Sequence, residues 1–352
     1  MCAYANLRLA GAAGPGNGVF ILNILVTGIG GFIGSHVARH LIDRRHAVVG
    51  LDDLSGGFEH NIPEGAQFEL GSIGDREFTG RLFEEHRFDA VYHLAAYAAE
   101  GLSHFIKRFN YENNLVGSAN LLAHAVNYET KLFVFTSSIA VYGAGQLPMR
   151  EDLAPDPEDP YGIAKLAFER ELRVTGRMFG LPYVIFRPHN VYGEGQNVAD
   201  RFRNVVGIFM RQALRGEAMT VFGDGLQTRA FSHIDDVAPL IAEVVDRTDC
   251  WNEVFNIGAD QPYTVLEIAE AVGRALGVEP RIRHLEARNE VMHAYADHSK
   301  LRRFFGERPL TPLEQGIGRM TEHVRRHGIP HPTPAPPIEI PRNLPEGWDA
   351  SA

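Results

Sequence analysis

Ile24-Leu25-Val26-Thr27-Gly28-Ile29-Gly30-Gly31-Phe32-Ile33-Gly34 decides the fold. An apolar, β-branched run passes through a glycine-rich turn directly into an amphipathic stretch. Gly28, Gly31 and Gly34 are spaced by three. The first two permit a tight turn and close backbone approach to a pyrophosphate, and the third lets helix and strand pack. The helix that follows aims free N–H groups and the positive end of its dipole at the anion, and Phe32 and Ile33, just before it, are expected against the cofactor. Glycines alone read equally well as an ordinary strand-to-helix turn. The next strand separates the two readings. It ends Leu51-Asp52-Asp53, and Asp52 lies 24 residues after Gly28. An acid at that strand tip bonds the adenosine ribose hydroxyls and repels a 2′-phosphate, so NAD is favoured over NADP. Asp53 reads as a turn neighbour or a second ribose contact.

Outward from this stretch, β-branched runs alternate with amphipathic ones, the pattern of βαβ units on a parallel sheet. Strands are expected over Ile21–Val26, Ala47–Leu51, Gln67–Leu70, Ala90–His93, Leu132–Thr136 and Tyr183–Arg187. Helices are expected over Ser35–Arg44, Glu112–Tyr128 and Tyr161–Phe179, then Thr264–Leu276 and Leu313–His327. After about residue 190 the alternation loosens, which predicts a smaller lobe interleaved with the first domain. The expected organisation is a leader at 1–20, a nucleotide domain at 21–190, a substrate lobe at 191–328 and a proline-rich tail at 329–352, extended or loosely docked.

The 352 residues are 45% hydrophobic and 22% charged, an ordinary globular balance. A formal net charge of −10 argues against general nucleic-acid binding. Cys2 and Cys250 make neither a disulfide framework nor a metal-ligand spacing, so no metal is expected and a reducing, cytoplasmic setting fits. No apolar run approaches the roughly 20 residues needed to span a bilayer.

Tyr161 and Lys165 stand four apart, on one face of an expected helix. A free phenol is a poor base at neutral pH, and a neighbouring cation favours its phenolate. Such a tyrosine can take a proton from an alcohol while hydride leaves the adjacent carbon. The spacing alone is common on exposed helix faces; its surroundings decide.

Those surroundings are ordered: Thr27-Gly-Ile-Gly-Gly-Phe-Ile-Gly, His93-Leu-Ala-Ala, Phe135-Thr-Ser-Ser-Ile-Ala-Val-Tyr-Gly, Tyr161-Gly-Ile-Ala-Lys, Arg187-Pro-His-Asn-Val-Tyr-Gly and Gln227-Thr-Arg-Ala-Phe-Ser-His-Ile-Asp-Asp. Over roughly residues 22–325 the chain resembles the extended short-chain dehydrogenase/reductase family, and within it the sugar-nucleotide epimerases and dehydratases. The resemblance implies an α/β fold: a Rossmann doubly wound parallel sheet with a smaller C-terminal α/β substrate lobe. It also implies bound NAD, a nucleoside-diphosphate sugar as substrate, and a homodimer formed through two helices per subunit.

Carried over residue by residue, the resemblance makes Ser138 the serine that bonds the sugar oxygen, Tyr161 the base and Lys165 the group that holds the nicotinamide ribose and, with the cationic nicotinamide ring, lowers the Tyr161 pKa. Ser137 and Thr136 read as loop-satisfying hydroxyls. Ile73, Leu94, Ala95, Ala96 and Pro188 are expected against the cofactor, and His93 as structural. Asn114 reads as a residue near the active site or as a helix-buried amide bonding backbone. The family usually sets an aspartate on the adenine; here Gly71-Ser72-Ile73 puts Ser72 in that seat. Asn190, Asn204, Arg229 and Arg288 are expected at the diphosphate end, where a planar charged donor suits two phosphates. Asp235 and Asp236 read as caps of a helix over Val237–Val245.

Two absences bear on the reaction. The resemblance implies that a 4,6-dehydratase carries an acid and a base just after the catalytic serine, and a uronate decarboxylase a glutamate there; this chain has Ile139 and Ala140. A 4-epimerase needs neither. The expected activity is NAD-dependent 4-epimerisation of a nucleoside-diphosphate hexose, of UDP-glucose or UDP-galactose type. The alternative is another sugar-nucleotide enzyme of the family. Glu100, where family members contact the hexose, would oppose a uronate carboxylate, unless it turns to solvent.

Overall fold

A computed structural model describes residues 21–288, 290–331 and 334–348. The expected leader at 1–20 lies outside the described residues. Asn23–Thr27 (β1), Ala47–Asp52 (β2), Gln67–Leu70 (β3), Ala90–His93 (β4), Leu132–Thr136 (β5) and Tyr183–Pro188 (β6) form one parallel sheet. A seventh strand, Glu253–Ile257, was not anticipated. It pairs in parallel with β6 at the edge, so the order runs Glu253–Ile257, β6, β5, β4, β1, β2, β3. Its run of Val254, Phe255, Asn256 and Ile257 is short and carries a polar residue, so periodicity gives it little signal; burial against Phe186, Phe304 and Phe305 makes it a strand.

Each face of the sheet is covered. Ile24 and Val26 of β1 meet Val37 and Leu41 of the helix Phe32–Asp43, together with Val237 and Ile241 of the helix Ile234–Glu243. Leu25 points the opposite way, toward Phe83, Leu121 and Phe168 of the helices Arg76–His86, Gly117–Asn127 and Pro160–Phe179. This period-two division of one strand between two cores is what a sheet buried on both faces requires. The strand order reverses at β1, which lies between β4 and β2, the chain winding outward in opposite senses on its two sides. The crevice beyond the carboxyl ends of β1 and β4 is therefore the place where such a sheet binds ligands.

The remaining core lies where Val206, Phe209 and Met210 of the helix Val205–Leu214 meet Ile268 and Val272 of Val265–Leu276 and Ile317 and Met320 of Leu313–His327. Two expected details differ. The helix that was to begin at Val237 begins at Ile234, and its cap is the His233 ring, which accepts the Asp235 N–H at 3.3 Å. Asp235 and Asp236 sit in the first turn instead, where a carboxylate suits the dipole. Asp236 accepts from the Thr311 N–H and hydroxyl at 3.0 Å each, and Asp235 pairs with Arg319. The helix expected over Glu112–Tyr128 starts earlier, at Lys107, and contains a π turn over Glu112–Val116. No helix among the described residues is long and apolar enough to cross a membrane.

Candidate active site

A cleft of about 990 Å³ runs from the glycine turn after β1 to the lobe beyond residue 190. Gly28 adopts φ +77°, and a Cβ there would stand 2.8 Å from Ala95 N, so only glycine lets the β1 turn meet the loop after β4. A Cβ on Gly34 would collide with Gly28 O, which is the close helix–strand approach expected of the third glycine. Phe32, Ile33, Leu94, Ala95, Ala96, Ile73 and Pro188 line the same cleft. The Asp52 carboxylate lies at the tip of β2, accepting the Gly30 and Leu54 N–H groups at 2.9 and 2.8 Å. Burial raises its pKa and those N–H bonds oppose the rise. Asp53 is exposed, turns back to the Ser55 N–H at 3.0 Å and also edges the cleft. The cradle, the free helix start and the acid at the strand tip together suit a dinucleotide without a 2′-phosphate.

Two expected cofactor contacts are placed elsewhere. The Ser72 hydroxyl accepts the Gly74 N–H at 3.2 Å and is not part of the cleft wall, which Gly71 and Ile73 form on either side of it. Asp75 caps the helix Arg76–His86 through the Phe78 N–H and does not supply the missing acid. Asn114 is buried and fully used: it accepts the Tyr97 N–H at 2.9 Å and donates to Tyr97 O and Asn110 Oδ1 at 3.1 and 2.8 Å. It clamps the loop after β4, the backbone-bonding alternative. Asn113 lines the cleft instead. Both asparagines sit in the π turn Glu112–Val116.

The helix Pro160–Phe179 places the reactive pair. Asp159 caps it, its Oδ1 accepting the Gly162 N–H at 2.8 Å, with Pro160 at the first position. Tyr161 and Lys165 then lie one turn apart, both buried and both on the cleft. Lys165 Nζ donates to Thr136 O at 2.8 Å and sits 5.7 Å from the Tyr161 ring centre. Burial pulls the ammonium down to about 7. Ser138, just beyond β5, accepts the Ala140 N–H at 3.1 Å, and its side chain acts to lower the pKa of the Tyr161 phenol.

The expected lowering of the Tyr161 pKa is not a property of the protein alone. Burial raises it first, the charges of Glu100 and Asp159 raise it further, and only the Ser138 bond and Arg203 act the other way. The phenol rests protonated, and an additional positive charge beside it is required to release the proton.

Neighbouring hydroxyls divide their work. Thr136 Oγ1 donates to His93 O at 3.2 Å, a structural role as expected. Ser137 Oγ is buried on the cleft wall with no hydrogen-bond partner among the described residues, which the sequence reading missed. His93 is held between Thr27 Oγ1 and Ser118 Oγ at 2.8 and 2.7 Å, and burial keeps it neutral, pulled down to about 3.

At the far end, Arg229 donates to Thr228 O and Met292 O at 2.9 and 3.0 Å and approaches Glu290 at 3.5 Å, while Arg288 pairs with the same carboxylate at 3.1 Å. Asn190 and Asn204 line this end. The Asn204 amide is a helix cap, accepting the Val206 N–H at 3.1 Å and donating to Val191 O at 2.6 Å; the Asn190 amide donates to Ala230 O at 3.1 Å. Glu100 lines this cleft with its side chain exposed within it. Burial raises its pKa, opposed by Arg229 and Arg288.

Asp159 and Glu100 interact, and the Asp159 carboxyl is raised first by burial and then by Glu100. Folding therefore favours its protonated form. The stability tied to it is full below the ordinary carboxylate range, about 4, and is lost as pH rises through the raised folded value. Asp159→Asn keeps a capping side chain without the charge. Its Tm relative to wild type is expected to improve between about pH 5 and about pH 8 in scanning calorimetry; a pH-independent difference would contradict the assignment.

Residues 24–258 match the NAD dependent epimerase/dehydratase family. Over 309 residues the chain is 32% identical to a putative UDP-glucose 4-epimerase of Methanocaldococcus jannaschii, covering 86% of this chain and 99% of that one. It is similar in structure to the UDP-glucose 4-epimerase of Thermotoga maritima, solved with UDP-glucose, at TM-score 0.81 and 35% identity over 87% of this chain and 99% of that one. The UDP-glucuronic acid 4-epimerase of Bacillus cereus, solved with UDP-glucuronic acid and NAD, matches at TM-score 0.80 and 29% identity over 87% of this chain and 100% of that one.

Proposed function

The chain belongs to the NAD dependent epimerase/dehydratase family, and from that premise we propose that it inverts C4 of a nucleoside-diphosphate hexose, of UDP-glucose or UDP-galactose type, through a transient 4-keto sugar. The observation that carries this reading is that Ser138 and Tyr161 share the cleft with apolar neighbours: Ile139 and Ala140 line it beside Ser138, and neither can move a proton.

NAD is the cofactor of the family, and when bound it supplies hydride acceptance and return at C4 together with a positive ring. The glycine cradle and Asp52 would hold it, with Lys165 and Ser137 available to its nicotinamide half. The chain's own residues do the rest. Ser138 holds the C4 oxygen, and Tyr161 takes its proton once positive charge beside the phenol offsets the burial that now keeps it protonated. Lys165, drawn down by burial, gives or receives a proton with little cost near neutrality. Returning the proton through the same pair to the inverted alcohol completes the cycle. Asn190, Arg229 and Arg288 support the diphosphate, which leaves the hexose free to turn. Glu100 in the cleft favours a neutral hexose over a uronate, because two carboxylates in one buried site repel. We infer a homodimer as well: Val116, Ile163, Val174 and Met178 leave apolar side chains exposed on the helical segments 112–127 and 160–179.

A panel of nucleotide sugars screened by thermal shift and then by chromatography tests the reading. UDP-glucose is expected to raise the Tm and to yield UDP-galactose. A stable 4-keto-6-deoxy sugar as the product would overturn it.

A further inference from the structure

The proline-rich tail docks in its described part. The Glu339 and Ile340 N–H groups donate to Phe105 O at 2.8 and 3.1 Å, and the Glu339 carboxylate accepts the Arg108 and Phe109 N–H groups at 2.8 and 2.9 Å. Ile338, Leu344 and Trp348 pack against Ala99, Leu102 and Ile106. Glu346, Gly347 and Trp348 of this strap line the cleft. Arg283 pairs with Glu346 at 2.6 Å, Arg201 donates to Gly347 O, and Trp348 is 8% exposed.

Trp348 stands edge-on to Phe202 and Phe222, ring centres 5.3 and 6.3 Å apart. The Arg288 guanidinium lies 4.5 Å from the Phe222 ring centre and 5.6 Å from that of Trp348. Its Nε is buried without a hydrogen-bond partner among the described residues. On its other side, Trp348 bears on Gly101: a Cβ there would come within 2.9 Å of the indole. Gly101 is in the loop that carries Glu100 and also Ser103, whose hydroxyl accepts the Tyr161 N–H at 3.2 Å.

Resting on the functional reading above, we propose that Trp348 is a positioning and specificity-determining residue, the wall that the C-terminal strap sets across the nucleotide end of the cleft. An arginine held against two rings loses rotamer freedom in advance, so less entropy is lost when a diphosphate binds. The indole adds a rigid apolar surface for a planar base. Because the same ring bears on Gly101, the strap also braces the loop beside Tyr161.

Trp348→Ala and Trp348→Phe in the full chain, with bound NAD measured by absorbance and UDP titrated by calorimetry, test this. Trp348→Ala is expected to weaken UDP roughly tenfold or more, the scale of one base–aromatic contact, with NAD content unchanged and the kinetic loss concentrated in KM. Trp348→Phe is expected to recover most of the affinity. In a Trp251→Phe background Trp348 is the sole tryptophan, and UDP should change its fluorescence. Unchanged UDP affinity in Trp348→Ala overturns the proposal, and so does tighter binding, which would make the indole a plug. If neither UDP, dTDP, GDP nor CDP binds the wild-type chain, the functional reading falls, and this inference with it.

Discussion

Replacing Tyr161 with phenylalanine is expected to lower turnover of a UDP-hexose about 10²–10⁴-fold, the usual contribution of a positioned acid–base group, while NAD stays bound. The substitution removes one oxygen and leaves the buried ring, its helix cap and the Lys165 bond to Thr136 O in place. Binding of substrate should change little, so the loss belongs in kcat. The opposite split, a raised KM at unchanged kcat, would assign the phenol to binding and remove it from the chemistry. Since burial, Glu100 and Asp159 all hold the wild-type phenol protonated, the pH–rate profile should report the loaded site and not the protein alone.

The largest expected loss of stability lies behind the site. Arg187 on β6 grips Glu169 with two bonds, at 2.8 and 2.6 Å, and both side chains are 1% exposed. Its third donor meets the Tyr142 hydroxyl at 2.7 Å, which in turn bonds Asn256 of the edge strand at 2.8 Å. Glu169 lies one turn beyond Lys165 on the same helix, so this network ties that helix to β6 and to the strand beside it. Glu169→Leu strands a buried guanidinium and is expected to cost about 3–5 kcal/mol, a large share of the roughly 5–15 kcal/mol of a typical domain. Adding Arg187→Met removes the orphaned charge, so the double variant should regain much of the loss in chemical denaturation. A single variant less than about 1 kcal/mol below wild type would mean the pair is solvated or dispensable.

Much of this architecture was legible because it rests on local rules. The strands over Gln67–Leu70, Ala90–His93 and Leu132–Thr136 form as periodicity and β-branching predict, and the glycines after β1 fall where only glycine fits. What escaped depends on geometry that spacing does not carry. The π turn at Glu112–Val116 went unannounced, since nothing in a 3.6-residue reading marks a wider turn. The edge strand Glu253–Ile257 exists through its neighbours' burial and not through its own pattern. The resting state of Tyr161 was not legible, because it is set by burial and by the charges of Glu100, from another segment, and of the helix-capping Asp159. Likewise the tail's composition suggested an extended or loosely docked chain and gave no docking residues, whereas Glu339 and Trp348 give it specific seats.

The central claim is that this cleft inverts C4 without proton chemistry at the neighbouring carbons, because Ile139 and Ala140 provide no acid or base. Running the reaction on UDP-glucose in D₂O and examining the product by NMR tests it most directly. The expected product is UDP-galactose with no deuterium at any ring carbon or at C6. Deuterium at C5 or C6 would show that another group, Glu100 foremost, removes a carbon-bound proton, and would contradict the account.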